Sequence, residues 1–181
     1  MRITVVDRNL DVVQAVASRG IGAECRSIIG FDCDAVVSPA NSFGFMDGGV
    51  DYAYSEHFGW HVQAAVQAEI DKLPFSELLV GQALVVPTGN AETPWLVCAP
   101  TMRVPKLIQD AFDLTLATRA AVKAALEAGI SHLAIPGMGT GCGRVPPHIA
   151  AAAMAKGIDY ALNPQPRPAS WQHAQMIHFG G

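Results

Sequence analysis

The chain has 181 residues and a mass of 19.1 kDa, the size of one globular domain, and half of its residues are apolar. Because the formal net charge is -4 and no basic cluster is larger than Arg103 with Lys106, the composition excludes an extended nucleic-acid-binding surface. No apolar run approaches the roughly 20 residues that a membrane-spanning helix needs, so we expect a protein without a membrane partner.

Apolar segments rich in β-branched residues recur along the chain between turn residues, which predicts strands. In chain order they are residues 3–6, a weaker candidate at 24–28, then 35–38, 83–87, 96–99 and 133–136. Alanine-rich segments with helical periodicity lie between them at residues 11–19, 60–72, 113–128 and 147–162, and a further helix begins near Asp51. Strands that alternate with helices predict an α/β fold, a three-layer α/β/α sandwich.

The proline-rich stretch NPQPRP at residues 163–168 ends the last predicted helix. We therefore predict a single domain over residues 1–162, followed by a Pro-rich linker and C-terminal tail over residues 163–181. The tail, from Ser170 onward, either docks as an extra strand or stays loose.

The first glycine-rich loop, NSFGFMDGGVD at residues 41–51, follows a predicted strand and precedes a predicted helix. Gly48, Gly49 and Val50 would let the backbone approach a phosphate closely at the start of that helix. Asn41 either bonds a pair of sugar hydroxyls or closes a turn. Asp51 either caps the helix or places its carboxylate beside a bound sugar, and both roles can coexist.

The second glycine-rich loop, GMGTGCGR at residues 137–144, also follows a predicted strand. Its glycines do not match G-x-G-x-x-G and no Gly-Lys-Ser/Thr follows, so neither a Rossmann dinucleotide site nor a Walker site is predicted. The loop instead predicts a phosphate cradle to which Thr140 adds a hydroxyl and Arg144 a charge. The candidate ligand-binding residues of this loop are Gly137, Gly139, Thr140, Gly141, Cys142, Gly143 and Arg144.

The two loops together predict a ligand with a diphosphate. In an open α/β sheet, ligands bind in a crevice at the carboxyl ends of the strands, where two such loops can face each other. We interpret Cys142 as a small residue that fits the loop rather than as a nucleophile, because no histidine is placed beside it by the sequence.

In these loops and their order, the chain resembles the macro domain family, the ADP-ribose-binding module also known from ADP-ribose-1″-phosphate processing. The family's strand and first loop are resembled by the segment VVSPANSFGFMDGGVD. A later strand of the family is resembled by LVCAP, and the family's second loop by residues 135–144. The resemblance spans about residues 1–162. The chain is a divergent member, since the first asparagine of the family's loop and its Gly-Asp-Ile motif are both changed.

The resemblance implies a mixed, mostly parallel sheet of about six strands. It implies that Asn41 contacts the distal ribose, that Gly48 to Val50 and Gly139 to Gly143 hold the diphosphate from two sides, and that Asp51 orients water toward the anomeric carbon. Asp32 is the candidate that replaces the family's adenine-binding aspartate.

We therefore predict that the protein binds ADP-ribose or an ADP-ribosylated substrate and hydrolyses the conjugate, with Asp51 and Asn41 as the catalytic pair. The hydrolysis would remove either the ADP-ribosyl group from its substrate or the acyl group from O-acyl-ADP-ribose. Two alternatives stay open: a non-catalytic module that binds ADP-ribose or a related nucleotide diphosphate, and a structural protein that only retains the fold. We predict no cofactor and no metal site, and the oligomeric state is not predicted. Four widely spaced cysteines without a CxxC motif predict a reduced, cytoplasmic protein.

Overall fold

The computed structural model describes residues 1–164 and 166–179; Gln165, Gly180 and Gly181 of the predicted linker and tail lie outside the described residues. The strands are β1 (Arg2–Asp7), β2 (Gly22–Cys25), β3 (Ala35–Ser38), β4 (Leu84–Pro87), β5 (Trp95–Cys98) and β6 (His132–Ile135). The helices are α1 (Leu10–Ala17), α2 (Gly49–Phe58), α3 (His61–Ile70), α4 (Phe112–Glu127), α5 (Pro147–Leu162) and α6 (Trp171–Phe179), with a short 3-10 helix at Pro74–Ser76.

The strands form one six-stranded mixed sheet in the order β2-β1-β6-β3-β5-β4. All neighbouring pairs are parallel except β4, which runs antiparallel to β5 at one edge. Because five strands point the same way, the loops that follow β1, β2, β3, β5 and β6 meet at one edge of the sheet. This mixed, mostly parallel sheet confirms the fold predicted from the sequence.

Helices cover both faces of the sheet, as the predicted sandwich requires. Successive residues of one strand enter opposite cores: Ala35 and Val37 of β3 pack with α1, α4 and α5, whereas Val36 packs with α2 and α3. Such two-sided burial explains why the central strands are continuous apolar runs in the sequence. Among the described residues, no helix is long and apolar enough to cross a bilayer.

Two predicted elements differ from the observed ones. The weak strand candidate at 24–28 begins earlier, at Gly22, and ends at Cys25, because β2 is an edge strand whose residues are largely exposed and therefore lack a clear apolar pattern. The tail is neither an extra strand nor fully loose: residues 171–179 form α6. This helix contacts the domain through the rings of His178 and Phe112, 4.4 Å apart, and through Lys156 Nζ, which donates to Ile177 O at 3.5 Å.

Helices α4 and α5 approach closely at Gly157, which lies within α5. A Cβ atom at this position would lie 2.7 Å from Thr115 O and 2.8 Å from Thr118 Cβ of α4. Backbone atoms of a buried helix cannot easily retreat, so the contact between the two helices requires a glycine.

We predict that Gly157→Ala lowers the free energy of unfolding by about 1–3 kcal/mol, because overpacking outweighs the better helix propensity of alanine. The matched control is Gly141→Ala, since a Cβ there meets no heavy atom within 4 Å. Urea unfolding of both variants measures the effect. Equal stability of the Gly157→Ala variant and the unmodified protein would contradict the assigned helix contact.

Candidate functional site

A cleft of about 620 Å³ opens at the carboxyl ends of the parallel strands. Its walls come from the loops after β1, β2, β3, β5 and β6, which are far apart in the sequence but adjacent along the edge of the sheet. The two glycine-rich loops lie next to each other in the cleft, because β6 and β3 are neighbouring parallel strands. The volume is that of a site for a small-molecule ligand.

The structure brings most of the predicted site residues together in this cleft. They are Asn41, Gly48, Gly49, Val50 and Asp51 of the first loop and Gly137, Gly139, Thr140, Gly141, Cys142 and Gly143 of the second loop. Arg144 is exposed and does not line the cleft, although its backbone bonds Gly141 O. Asp32 is also exposed and lies near His132 at the amino-terminal ends of β3 and β6, on the edge of the sheet opposite the cleft.

The second loop presents a row of backbone donors. The five N–H groups of residues 139–143 donate to no other group among the described residues. By contrast, two nearby amides are used: Gly137 N, two residues before the row, donates to Asp7 Oδ2 at 2.9 Å, and Arg144 N, directly after the row, donates to Gly141 O at 3.1 Å. Successive free amides in a turn form a concave site that favours anions.

Some glycines of this loop are also required by its packing. A Cβ on Gly137 would lie 2.7 Å from Asp7 Oδ2, and a Cβ on Gly139, whose φ is +70°, would lie 2.6 Å from Leu114 Cδ2. Gly139 therefore allows the turn itself, and Gly137 leaves room for the side chain of Asp7 at the end of β1. Gly141 differs, since its Cβ position is open.

In the first loop, Asn41 holds the turn. Its side-chain Nδ2 donates to Phe45 O at 2.8 Å, and its Oδ1 accepts from the backbone N–H groups of Phe43 and Phe45. These bonds match the turn-closing role. A side-chain amide has two N–H groups, so one donor of Asn41 remains for a ligand.

The start of α2 supplies the donors of the first loop. No side-chain oxygen caps this helix at Gly48, and the N–H groups of Gly49, Val50 and Asp51 donate to no other group among the described residues. Free amides and the helix dipole make this end of α2 favourable for an anion. Asp51 is the third residue of α2, so its side chain is not the N-cap.

The Asp51 carboxyl group is buried, with 7% of the residue exposed, although it lines the cleft. Burial raises the pKa of Asp51 to about 7, and the nearby Ser38 hydroxyl partly offsets this effect. Among the described residues, neither Asp51 Oδ1 nor Ser38 Oγ has a hydrogen-bond partner. The carboxyl oxygen can therefore accept a hydrogen bond from a water or a ligand hydroxyl.

The neighbours of Asp51 are neutral groups. Cys98 lies opposite Ser38 in the register of β3 and β5, and burial raises its pKa above the usual range. Burial also raises the pKa of Tyr54, whose hydroxyl donates to Val37 O at 3.1 Å. Because no cation among the described residues pairs with Asp51, a partner supplied by the cleft would stabilise its charge further.

Sequence reasoning missed the walls that the loops after β1, β2 and β5 contribute. Asp7, Arg8, Asn9, Arg26, Ser27, Thr101, Met102 and Pro105 all line the cleft. These loops have few glycines and carry no motif. Their position at the carboxyl ends of parallel strands is the signal that could have identified them.

The fold places this chain among three-layer α/β domains with a cleft at the carboxyl edge of a mixed sheet. Within that class, the chain belongs to the macro domain family, whose model matches residues 37–154. An uncharacterised protein of Aquifex aeolicus is 36% identical over 132 residues, which are 73% of this chain and 76% of that protein.

Solved structures support the same fold. The macrodomain of Mycobacterium tuberculosis DarG superposes with a TM-score of 0.64 at 17% identity, over 74% of this chain and 86% of that one. Thermosipho africanus DarTG, solved in complex with ADP-ribose, gives a TM-score of 0.59 at 18% identity, over 73% of this chain and 36% of that one.

We predict that Asp51→Asn changes how stability depends on pH. Because burial raises the folded-state pKa from 3.8 to about 7, the folded protein keeps a proton that the unfolded chain loses, and the free energy of unfolding falls as pH rises through this window. The variant lacks this contribution, so its stability relative to the unmodified protein should increase by about 2–3 kcal/mol between pH 5 and pH 8.

Urea unfolding at the two pH values measures this difference. Asp47→Asn is the matched control, because Asp47 lies in the same loop but is exposed. A stability difference for Asp51→Asn that does not vary with pH would contradict the raised pKa.

Proposed function

We propose that this protein binds ADP-ribose, as the free nucleotide or as part of a conjugate. One observation carries the proposal: the five free amides of residues 139–143 and the uncapped start of α2 border the same cleft. Each loop offers donors for one phosphate group, and a diphosphate between them would satisfy both. Membership of the macro domain family and the ADP-ribose bound to Thermosipho africanus DarTG support the choice of nucleotide.

The rest of the cleft is consistent with the two nucleotide ends. On one side of the phosphate cradles, Asn41 keeps one amide donor and Asp51 keeps an unpartnered oxygen, which suits the hydroxyls of the distal ribose. On the other side, the loops after β1 and β2 leave room for the adenosine. An anion would approach amides fixed by the sheet, so little reorganisation is needed on binding.

We further propose that the protein hydrolyses an ADP-ribosyl conjugate with Asp51. A carboxyl group with a pKa near 7 is matched to proton transfer at neutral pH, and Asp51 touches the cleft rather than bulk water. Its carboxylate would orient a water toward the anomeric carbon, where charge develops as the bond to the leaving group breaks.

A second candidate function is binding without hydrolysis. The hydrogen bonds of Asn41 favour this candidate function. The side-chain carbonyl oxygen of this residue already accepts two hydrogen bonds within the first loop, so it is poorly placed to orient a water for attack. In this case Asp51 would bond only a ribose hydroxyl. The two candidate functions share the same cleft and differ in turnover.

We predict that calorimetric titration shows micromolar binding of ADP-ribose, clearly tighter than that of ADP. Gly141→Glu should weaken ADP-ribose binding at least about tenfold, because it places a carboxylate among the free amides. Gly141→Gln is the matched control: it has almost the same shape without the charge, and the open Cβ position tolerates both side chains. No saturable binding of ADP-ribose by the unmodified protein would overturn the proposed function and favour a structural role.

We predict that Asp51→Ala abolishes hydrolysis of an ADP-ribosyl ester while ADP-ribose binding stays measurable. In the unmodified protein, kcat/KM should rise with pH through about 7, as the carboxyl group ionises. Asp71→Ala is the control, because Asp71 is exposed and lies outside the cleft, and it should retain turnover. Unchanged turnover in Asp51→Ala would exclude Asp51 as the catalytic residue, and binding without any turnover would favour the second candidate function.

A further inference from the structure

Two arginines line the cleft on the side where the loops after β1 and β2 meet. Arg8 follows β1, and Arg26 follows β2. In the strand order, β1 and β2 lie beyond β6, on the side away from β3, whose loop carries Asn41 and Asp51. The arginines are therefore separated from the distal-ribose residues by the phosphate cradle of the second loop.

Backbone pairing keeps these arginines together. The register of β1 and β2 places Asp7 opposite Cys25, and Arg26 N continues the ladder by donating to Asp7 O at 3.0 Å. Arg8 Nη2 donates to Ser27 Oγ at 3.2 Å, and Cys25 Sγ donates to Arg8 O at 3.7 Å. The two loops thus form one unit at this end of the cleft.

The guanidinium group of Arg26 is also held in place. Its Nη2 donates to Gly30 O at 3.5 Å, and its Cζ atom lies 5.6 Å from the centroid of the Phe31 ring. A guanidinium group has five N–H donors. Arg8 and Arg26 each use one of them within the described residues, so both keep donors for a ligand.

Within the part of the chain that the structure describes, neither arginine has a carboxylate partner. The ion pairs among the described residues are Lys72 with Glu69, Arg103 with Glu77 and Lys123 with Glu127. Asp7, the carboxylate next to Arg8 in the sequence, accepts from Asn9 N at 2.8 Å and from Gly137 N at 2.9 Å, so it anchors the second loop. Two positive charges therefore lie at this end of the cleft without a neutralising ion pair.

We propose that Arg8 and Arg26 bind a further phosphate on the adenosine ribose of the ligand, at its 2′ or its 3′ hydroxyl. This inference rests on the proposed function, since the ADP-ribose cleft sets which end of the ligand lies here. The adenosine of ADP-ribose carries no charge, so binding it does not require two guanidinium groups without ion-pair partners. A phosphate presents oxygens that match the fork of a guanidinium group and would pair with both charges.

The test compares three ligands on the unmodified protein by calorimetry: ADP-ribose, 2′-phospho-ADP-ribose and 3′-phospho-ADP-ribose. We expect one of the two phosphorylated ligands to bind about tenfold tighter than ADP-ribose, because it adds charge-assisted hydrogen bonds. The preferred isomer identifies the position of the phosphate. The double variant Arg8→Gln, Arg26→Gln should reduce this affinity ratio to within about twofold of unity.

Arg19→Gln is the matched control, because Arg19 is exposed and lies outside the cleft; it should leave the affinity ratio unchanged. Equal affinities of the unmodified protein for all three ligands would overturn the inference and leave the proposed function intact. Binding of none of them would overturn both. A preference for a phosphorylated ligand that persists in the double variant would also overturn the inference, since other groups would then hold the phosphate.

Discussion

The position of β6 in the centre of the sheet is the constraint on which the cleft depends. This strand pairs with β1 on one side and with β3 on the other, both in parallel. The pairing places the second loop between the first loop and the loops that carry Arg8 and Arg26. The hydrogen bond from Gly137 N to Asp7 Oδ2 reinforces the same junction. The strand pairing therefore fixes the order in which the segments that carry the proposed ligand-binding groups lie along the cleft.

The fold could be predicted from the sequence because its signals are local. The central strands are buried on both faces and form apolar runs, and most helices carry a clear periodicity. The cleft wall around Arg8 and Arg26 could not be predicted in this way. Arg8 and Ser27 are 19 residues apart and meet only through strand pairing, which leaves no motif. Asp32 is misleading for the opposite reason. It lies near the position of the family's motif in the sequence, but in the fold it lies at the far edge of the sheet.

The burial of Asp51 sets the stability of the domain against the role proposed for this carboxyl group. The carboxyl group is buried, no cation pairs with it among the described residues, and one of its oxygens has no hydrogen-bond partner there. It therefore destabilises the ligand-free fold once it ionises. A ligand hydroxyl or an ordered water at that oxygen would offset part of this cost. Natural proteins commonly keep such destabilising groups where activity requires them. The same burial keeps the surrounding thiol and phenol neutral, so a single titrating group dominates this part of the cleft.

Strand β6 is the last strand in the sequence but lies in the centre of the sheet, and this affects how the chain folds. β1 and β2 form one part of the sheet, and β3, β5 and β4 form another, and only β6 joins them. Arg2 must pair with His132, so closure of the sheet waits for a contact that spans most of the chain. Contacts of such high sequence separation slow folding. During synthesis, nucleotide could not assist the earlier steps, because the cavity that would receive it does not yet exist.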